Sequence, residues 1–443
     1  MIRRIIVLAF VGGLAAVAAL APRPAAPPEP LAGIVISKPG LGSPADAGIW
    51  YCAWAQSNAA RDSLLSIASM EPASASFTFP VAIAGRDPDT ATLQTVGPGA
   101  AELLLSDVAR RGDSPYLVEF NNGPAAASVT VAGEMLSADS CVAEGPSVWY
   151  FAGGSTMPGE EMTLRVFNPF PETAKVTVEG FSEIGVEALG QYRAWSVGPR
   201  SWRDIPLHQV LNSRQDLVIS VTVNSGLVVP AMALRTGDDD AWWTGSGLSD
   251  SWVFPVVGGP GLSGALVVGN PGSSPVTITV DLLTAEGPVP DAVSAEVEGS
   301  APVRIALTGI AGEVYGARIT ASGPVAASVI ASGDAGVAVT SGVSGESRTW
   351  LLPGLRSEGF QEGTLWLANT GEDAVVVTVS TLTGGGLVGE TVTVDPGAIR
   401  RFGPVPEGGL GYLVEASFPI VAGWSITSPA GTAYAPGLPI RSR

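Results

Sequence analysis

The sequence predicts an all-β chain: tandem immunoglobulin-like β-sandwich units after an N-terminal hydrophobic helix, with a β-propeller as the rival arrangement. Three observations predict it. Within each unit apolar residues alternate with polar ones, as in VTITVDLL (Val276 to Leu283), which is the period of a strand with one buried face. The runs are short, rich in β-branched residues and bounded by Gly, Pro, Asn or Asp. Finally, marker residues recur in phase along the chain. Trp50, Trp149, Trp252 and Trp350 sit in IWYCA, VWYFA, SWVFP and TWLLP at spacings of 99, 103 and 98 residues.

Other markers keep step with the tryptophans. LRVFNPF, LVVGNPG and LWLANTG place Asn168, Asn270 and Asn369 19, 18 and 19 residues after their tryptophans. The first unit has LLSIASM there and no Asn-Pro. A strand and turn follow as TVGPG, SVGPR, EVEGS and TVDPG, and a closing block begins at Tyr116, Tyr315 and Tyr412 in three units. Such a fixed period indicates repeated supersecondary units. The organisation expected is a signal peptide or membrane anchor at 1–21, a Pro-rich stalk at 22–46, and β-units at 47–144, 145–247, 248–345 and 346–443. Roughly seven strands in 100 residues favours sandwiches. Two propeller blades of about 50 residues per unit is the other reading, and no half-period is visible to support it.

Arg3 and Arg4 precede an apolar run from Ile5 to Ala21, the pattern of a secretory signal. Pro22 follows the small-residue exit and hinders cleavage there, so the segment is either removed or kept as an anchor with the rest of the chain outside. The chain is expected to be extracytoplasmic, attached to the membrane through this segment only or secreted. Cys52 and Cys141 are the only cysteines, and in an exported chain they pair by default. The loop they close, about 90 residues, is worth roughly 4 to 5 kcal/mol on the chain-entropy model. Cys52 stands where the other units have Phe151, Phe254 and Leu352, which puts it on an inward face.

The pattern W-[YVL]-[CFL], then L-x-V-x-N-P-x, an alternating strand, V-x-P-G and a late S-G-P-V-A block resembles a repeat of exported actinobacterial proteins. It is similar to the uncharacterised family catalogued as domain of unknown function 5719, whose first unit often begins with WYC, over nearly all of Gly48 to Pro439. The resemblance implies a membrane-tethered extracytoplasmic protein with β-rich domains, and it brings no catalytic residues.

The net charge of −18, with only two lysines, argues against nucleic acid as a partner. The lone histidine, His208, reads as a loop residue, and no nucleophile elbow, metalloprotease motif or phosphate-binding loop accompanies it. No cofactor and no metal are expected. The run GDDDAWWTGSG is the sharpest local anomaly: Asp238, Asp239 and Asp240 beside Trp242 and Trp243 are candidate ligand-binding residues, for Ca²⁺ or for a stacked sugar. Consecutive acids lack the alternate spacing of a cation loop, so an acidic turn with a tryptophan buried between units competes with that reading. Arg111, Gly112 and Asp113, in RRGDSPY, carry the letters of an adhesive loop, against a plain turn entering the next strand.

These features favour a noncatalytic scaffold or binding protein of the bacterial cell envelope, with four units in a row and an envelope protein or polysaccharide as partner. An accessory subunit of an envelope-building membrane enzyme is the second reading. A cell-wall glycan hydrolase using a carboxylate pair is the third.

Overall fold

The computed structural model describes residues 48–80, 88–95, 98–108, 112–259, 261–307, 315–356, 361–384 and 386–440. The expected anchor and stalk lie outside the described residues, as does Arg111. Among the described residues no helix is long and apolar enough to cross a membrane.

Each repeat makes two antiparallel sheets. In the first, the sheet holding the phased tryptophan runs Ile49–Cys52, Tyr116–Phe120, Ala73–Phe79, Asp89–Thr95; the second runs Ser137–Ser140, Ala125–Gly133, Arg61–Ser69, Gly99–Leu104. We call these the flanking and the axial sheet. The same order returns in every repeat. In the third and fourth, single 18-residue strands, Gly316–Gly333 and Gly411–Ser428, pass from the flanking sheet into the axial one.

The two sheets of a repeat share one core. Trp252 and Phe254 from the flanking sheet of the third repeat meet Leu266 and Val268 from its axial sheet, all buried. Every phased tryptophan is in such a core, with Trp350 fully buried and Trp50, the most accessible, 4 % exposed. The flanking sheet's other face packs on the next repeat: Ala152, Phe181 and Val218 cluster with Ala326. The fourth repeat returns to the first in the same way, for Leu351, Leu382 and Leu413 share a core with first-repeat residues.

The sheets therefore stand in a propeller-like ring, the second of the two arrangements named above, and not four sandwiches in a row. At its centre the edge strands Ser137–Ser140, Asp239–Thr244, Gly336–Ser341 and Gly431–Pro436 pack each against the next, the last against the first. The phased asparagines explain themselves here. Asn168, Asn270 and Asn369 are at most 1 % exposed. Each Nδ2 donates to a carbonyl four residues on and to one at the end of a following strand: Asn369 reaches Asp373 O at 2.8 Å and Val394 O at 3.0 Å. Each Oδ1 accepts the amide two residues later, 3.0 Å away for Phe170 and for Gly371. Buried turn carbonyls need such a donor. Ser69 holds the place in the first repeat, its hydroxyl donating to Glu71 O at 2.6 Å.

Candidate functional site

Four equivalent segments meet at one end of the ring axis, just beyond the central strands. The residues of the inner strand that pair with the flanking sheet are Val142 with Tyr51, Ser246 with Tyr150, Val343 with Val253 and Leu438 with Leu351. The residues one place earlier are Cys141, Gly245, Gly342 and Gly437. In the second and third repeats an aromatic ring lies directly on the glycine: a Cβ on Gly245 would stand 2.7 Å from Phe151, and one on Gly342 2.7 Å from Phe254. A disulfide between Cys52 and Cys141 occupies that place in the first repeat, with the two Cα atoms 4.7 Å apart. Sequence register assigned the inward face correctly. It gave no sign that the opposing position is glycine for want of space.

These segments line a small cavity of about 50 Å³ with Trp50, Asp139 and Glu144 at its wall. Asp139 is 5 % exposed and accepts the Thr244 amide of the second repeat at 2.7 Å and the Ser140 amide at 2.8 Å. Burial pushes its carboxyl up to about 7, against the lowering effect of those hydrogen bonds. The neighbouring contacts are Ser140 Oγ donating to Pro436 O at 2.6 Å and Ser341 Oγ to Thr244 O at 3.0 Å. This end of the axis joins repeats; a cavity this size accommodates little beyond water.

The acidic tryptophan run is not an exposed hairpin. Asp239–Thr244 is the inner strand of the second repeat, with Trp242 3 % and Trp243 1 % exposed. Trp242 stacks on Trp54 of the first repeat at 6.5 Å, and Trp243 meets Phe151 edge-on at 6.4 Å. Neither ring is open to a sugar. Asp240 is buried, paired with Arg61 at 2.7 Å and accepting from Ser137 Oγ at 2.6 Å. Asp239 is half-buried, and its carboxyl is raised by burial and by the charges of Asp238 and Asp240. Among the described residues no group of three or more His, Cys, Asp or Glu is placed to hold a metal ion. Its partners Trp54, Arg61 and Ser137 come from the first repeat, so the acidic strand is a junction between repeats.

Gly112 and Asp113 form a two-residue strand against Gln56–Ser57, with Gly112 in the left-handed region at φ 128°. The Asp113 carboxylate is engaged by Arg165 at 2.7 Å. Sequence reasoning missed that arginine. It is fully buried, 4.1 Å over the Trp54 ring, and also pairs with Asp204 at 2.7 Å. Burial opposes its charge, but the hydrogen bonds and charges of Asp204 and Asp113 outweigh that and hold the guanidinium above its ordinary value. His208 lies on a single helical turn, Leu207–Val210, rather than in a loop, with Nδ1 3.0 Å from Met162 O.

Similar junctions recur with different partners. Arg304 pairs with Asp216 between the second and third repeats, Arg318 donates to Thr370 O between the third and fourth, and Arg356 pairs with Glu102 between the fourth and first.

Fold and site thus define a β-repeat protein closed into a propeller-like ring, with polar and apolar contacts between repeats and one disulfide within the first. The chain belongs to a family of unknown function, DUF5719, whose model matches residues 107–242 and 245–436. No curated protein matches it. Among solved structures, the crystal structure of Thermotoga maritima 1070 is 19 % identical, over 21 % of this chain and 92 % of that one, at a TM-score of 0.20. Nothing is carried over from a likeness that slight.

Proposed function

We propose that the protein is a noncatalytic binding scaffold of the bacterial cell envelope, facing outward from the cytoplasmic membrane and tethered by its N-terminal segment or released from it. The observation that carries this reading is how the charged and aromatic groups near the axis are used. Arg165, Asp113, Asp204, Arg61, Asp240, Trp54 and Trp242 join the first two repeats, and their ion pairs and ring contacts are with one another and with Ser137 and Trp202 of the same two repeats. Such an arrangement spends its chemistry on rigidity, and a rigid ring is a platform for surface loops. The Cys52–Cys141 bond supports an oxidising compartment, and the Arg3-Arg4 apolar run supports export.

Crosslinking in intact cells, followed by mass spectrometry of the adducts, tests the reading. A defined envelope protein or glycan on a reproducible set of surface residues is expected. Turnover of cell-wall glycan, abolished by changing one Asp or Glu, would replace the scaffold with a hydrolase.

A further inference from the structure

One row of residues crosses each flanking sheet on the face turned toward the next repeat. The rows are Tyr51, Leu117 and Thr78; Tyr150, Ser220 and Glu179; Val253, Arg318 and Asp281; Leu351, Leu413 and Ser380. Three rows are covered. Phe170, from the Asn-Pro turn of the second repeat, lies on Tyr51 with centroids 5.5 Å apart. Arg318 fills the third row, bonded to Asp281 at 2.6 Å and reaching the Thr370 turn. Leu351 and Leu413 are buried in the core shared with the first repeat.

The second row is open. Gly272 takes the place of Phe170 in its turn, so no ring comes down on Tyr150, and Ser220 is short where Leu117, Arg318 and Leu413 are long. A further change enlarges the gap. Where the third and fourth repeats have continuous edge strands, Gly287–Val297 and Gly386–Val394, the second has only Gly185–Val186 and Trp195–Val197, with a 3-10 turn at Gly190–Tyr192 between them. The result is a cleft of about 410 Å³, bounded by Tyr150, Glu179, Thr222, Arg193 and Val186 and closed by Pro271 and Ser300 of the third repeat. That volume lies within the roughly 300–1,000 Å³ of small-molecule sites.

From this we infer that the cleft is a carbohydrate-binding site taking an uncharged sugar of one or two rings at the exposed end of a glycan chain. Tyr150 offers a half-buried ring and a phenol, which together suit the apolar face and the rim hydroxyls of a pyranose. Glu179 and Arg193 form no ion pair among the described residues, so an acceptor and a fork of donors are both uncommitted beside that ring. Val186, 78 % exposed, supplies an apolar edge. The net charge of −18 disfavours an anionic glycan, and the mixed lining gives a cation nothing to gather around. The inference rests on the binding role proposed above and names the ligand class and the place.

The test is titration calorimetry and saturation-transfer NMR on the full chain, in a detergent without a sugar headgroup, with maltotriose and the β-1,4-linked trisaccharide of N-acetylglucosamine as probes. Saturable binding of one of them at millimolar or lower concentration is expected. Ser220→Leu and Gly272→Phe, which import residues of other repeats, should each weaken it at least tenfold while the melting temperature holds. Glu179→Gln, on the surface, reads the same site without filling it. No saturation by either sugar at about 10 mM, or binding undiminished by all three changes, overturns the inference. That failure leaves the crosslinking result for a protein partner untouched, whereas a hydrolase result would remove the scaffold and leave sugar binding standing.

Discussion

Cys52 is bonded to Cys141 at the position where Phe151 lies over Gly245 in the next repeat. The same gap between inner and flanking strands is thus filled by a ring on a glycine or by two sulfurs. Both residues are unlike their counterparts in the other repeats, and they fill the gap as a pair.

The bond closes a separation of 89 residues, so Cys52→Ala with Cys141→Ala should lower stability by about 4 kcal/mol. Cys52→Phe with Cys141→Gly, copying the second repeat, should recover part of that loss. Urea unfolding of the three proteins without reductant gives the comparison, and equal midpoints for both double variants would disprove the equivalence.

Arg165 sits with 1 % of its side chain exposed between Asp113 and Asp204, each more than a third exposed. Arg165→Met leaves both carboxylates unpaired at the junction. Because they keep access to water, the expected cost is about 3 kcal/mol, the low end for breaking a buried pair. Arg165→Lys should restore little, since a single ammonium cannot span two carboxylates and stack on Trp54.

Asp139 gives the ring centre a pH dependence. Its carboxyl is raised to about 7 in the folded chain from an ordinary 3.8, so the folded state favours the protonated form. The stabilisation is complete below about pH 4 and is lost as pH rises through 7. Asp139→Asn should therefore raise the melting temperature by several degrees at pH 8 and change it little at pH 4.

Asn369 donates to three carbonyls, those of Asp373, Val394 and Asp395. Asn369→Leu strands them in a dry site and should cost about 3 kcal/mol. Asn369→Ser, as at Ser69, should cost less, and thermal unfolding of the pair separates the outcomes.

The strands, the repeat and the inward face of Cys52 were legible because Trp50, Asn168 and their counterparts recur at one period. The ring was not, for two physical reasons. A half-period would have revealed two sheets per repeat, but strands such as Gly411–Ser428 belong to both, so the sequence carries no boundary between them. The junctions, moreover, use unlike residues: Arg165 with two aspartates, Arg318 with a carbonyl, Leu351 in an apolar core. Contacts between repeats need not repeat. The same cause hid the partners of the acidic tryptophan run, for Trp242 stacks on Trp54 and Asp240 pairs with Arg61, each nearly 200 residues away.

Closure of the ring is tested most directly by small-angle X-ray scattering on residues 48–443. A compact body of roughly 400 residues has a radius of gyration of about 21 Å. Four 100-residue domains strung in a row would give about 40 Å by the same scaling. A closed ring gives the smaller value, and a measurement near the larger one would mean four sandwiches in a row.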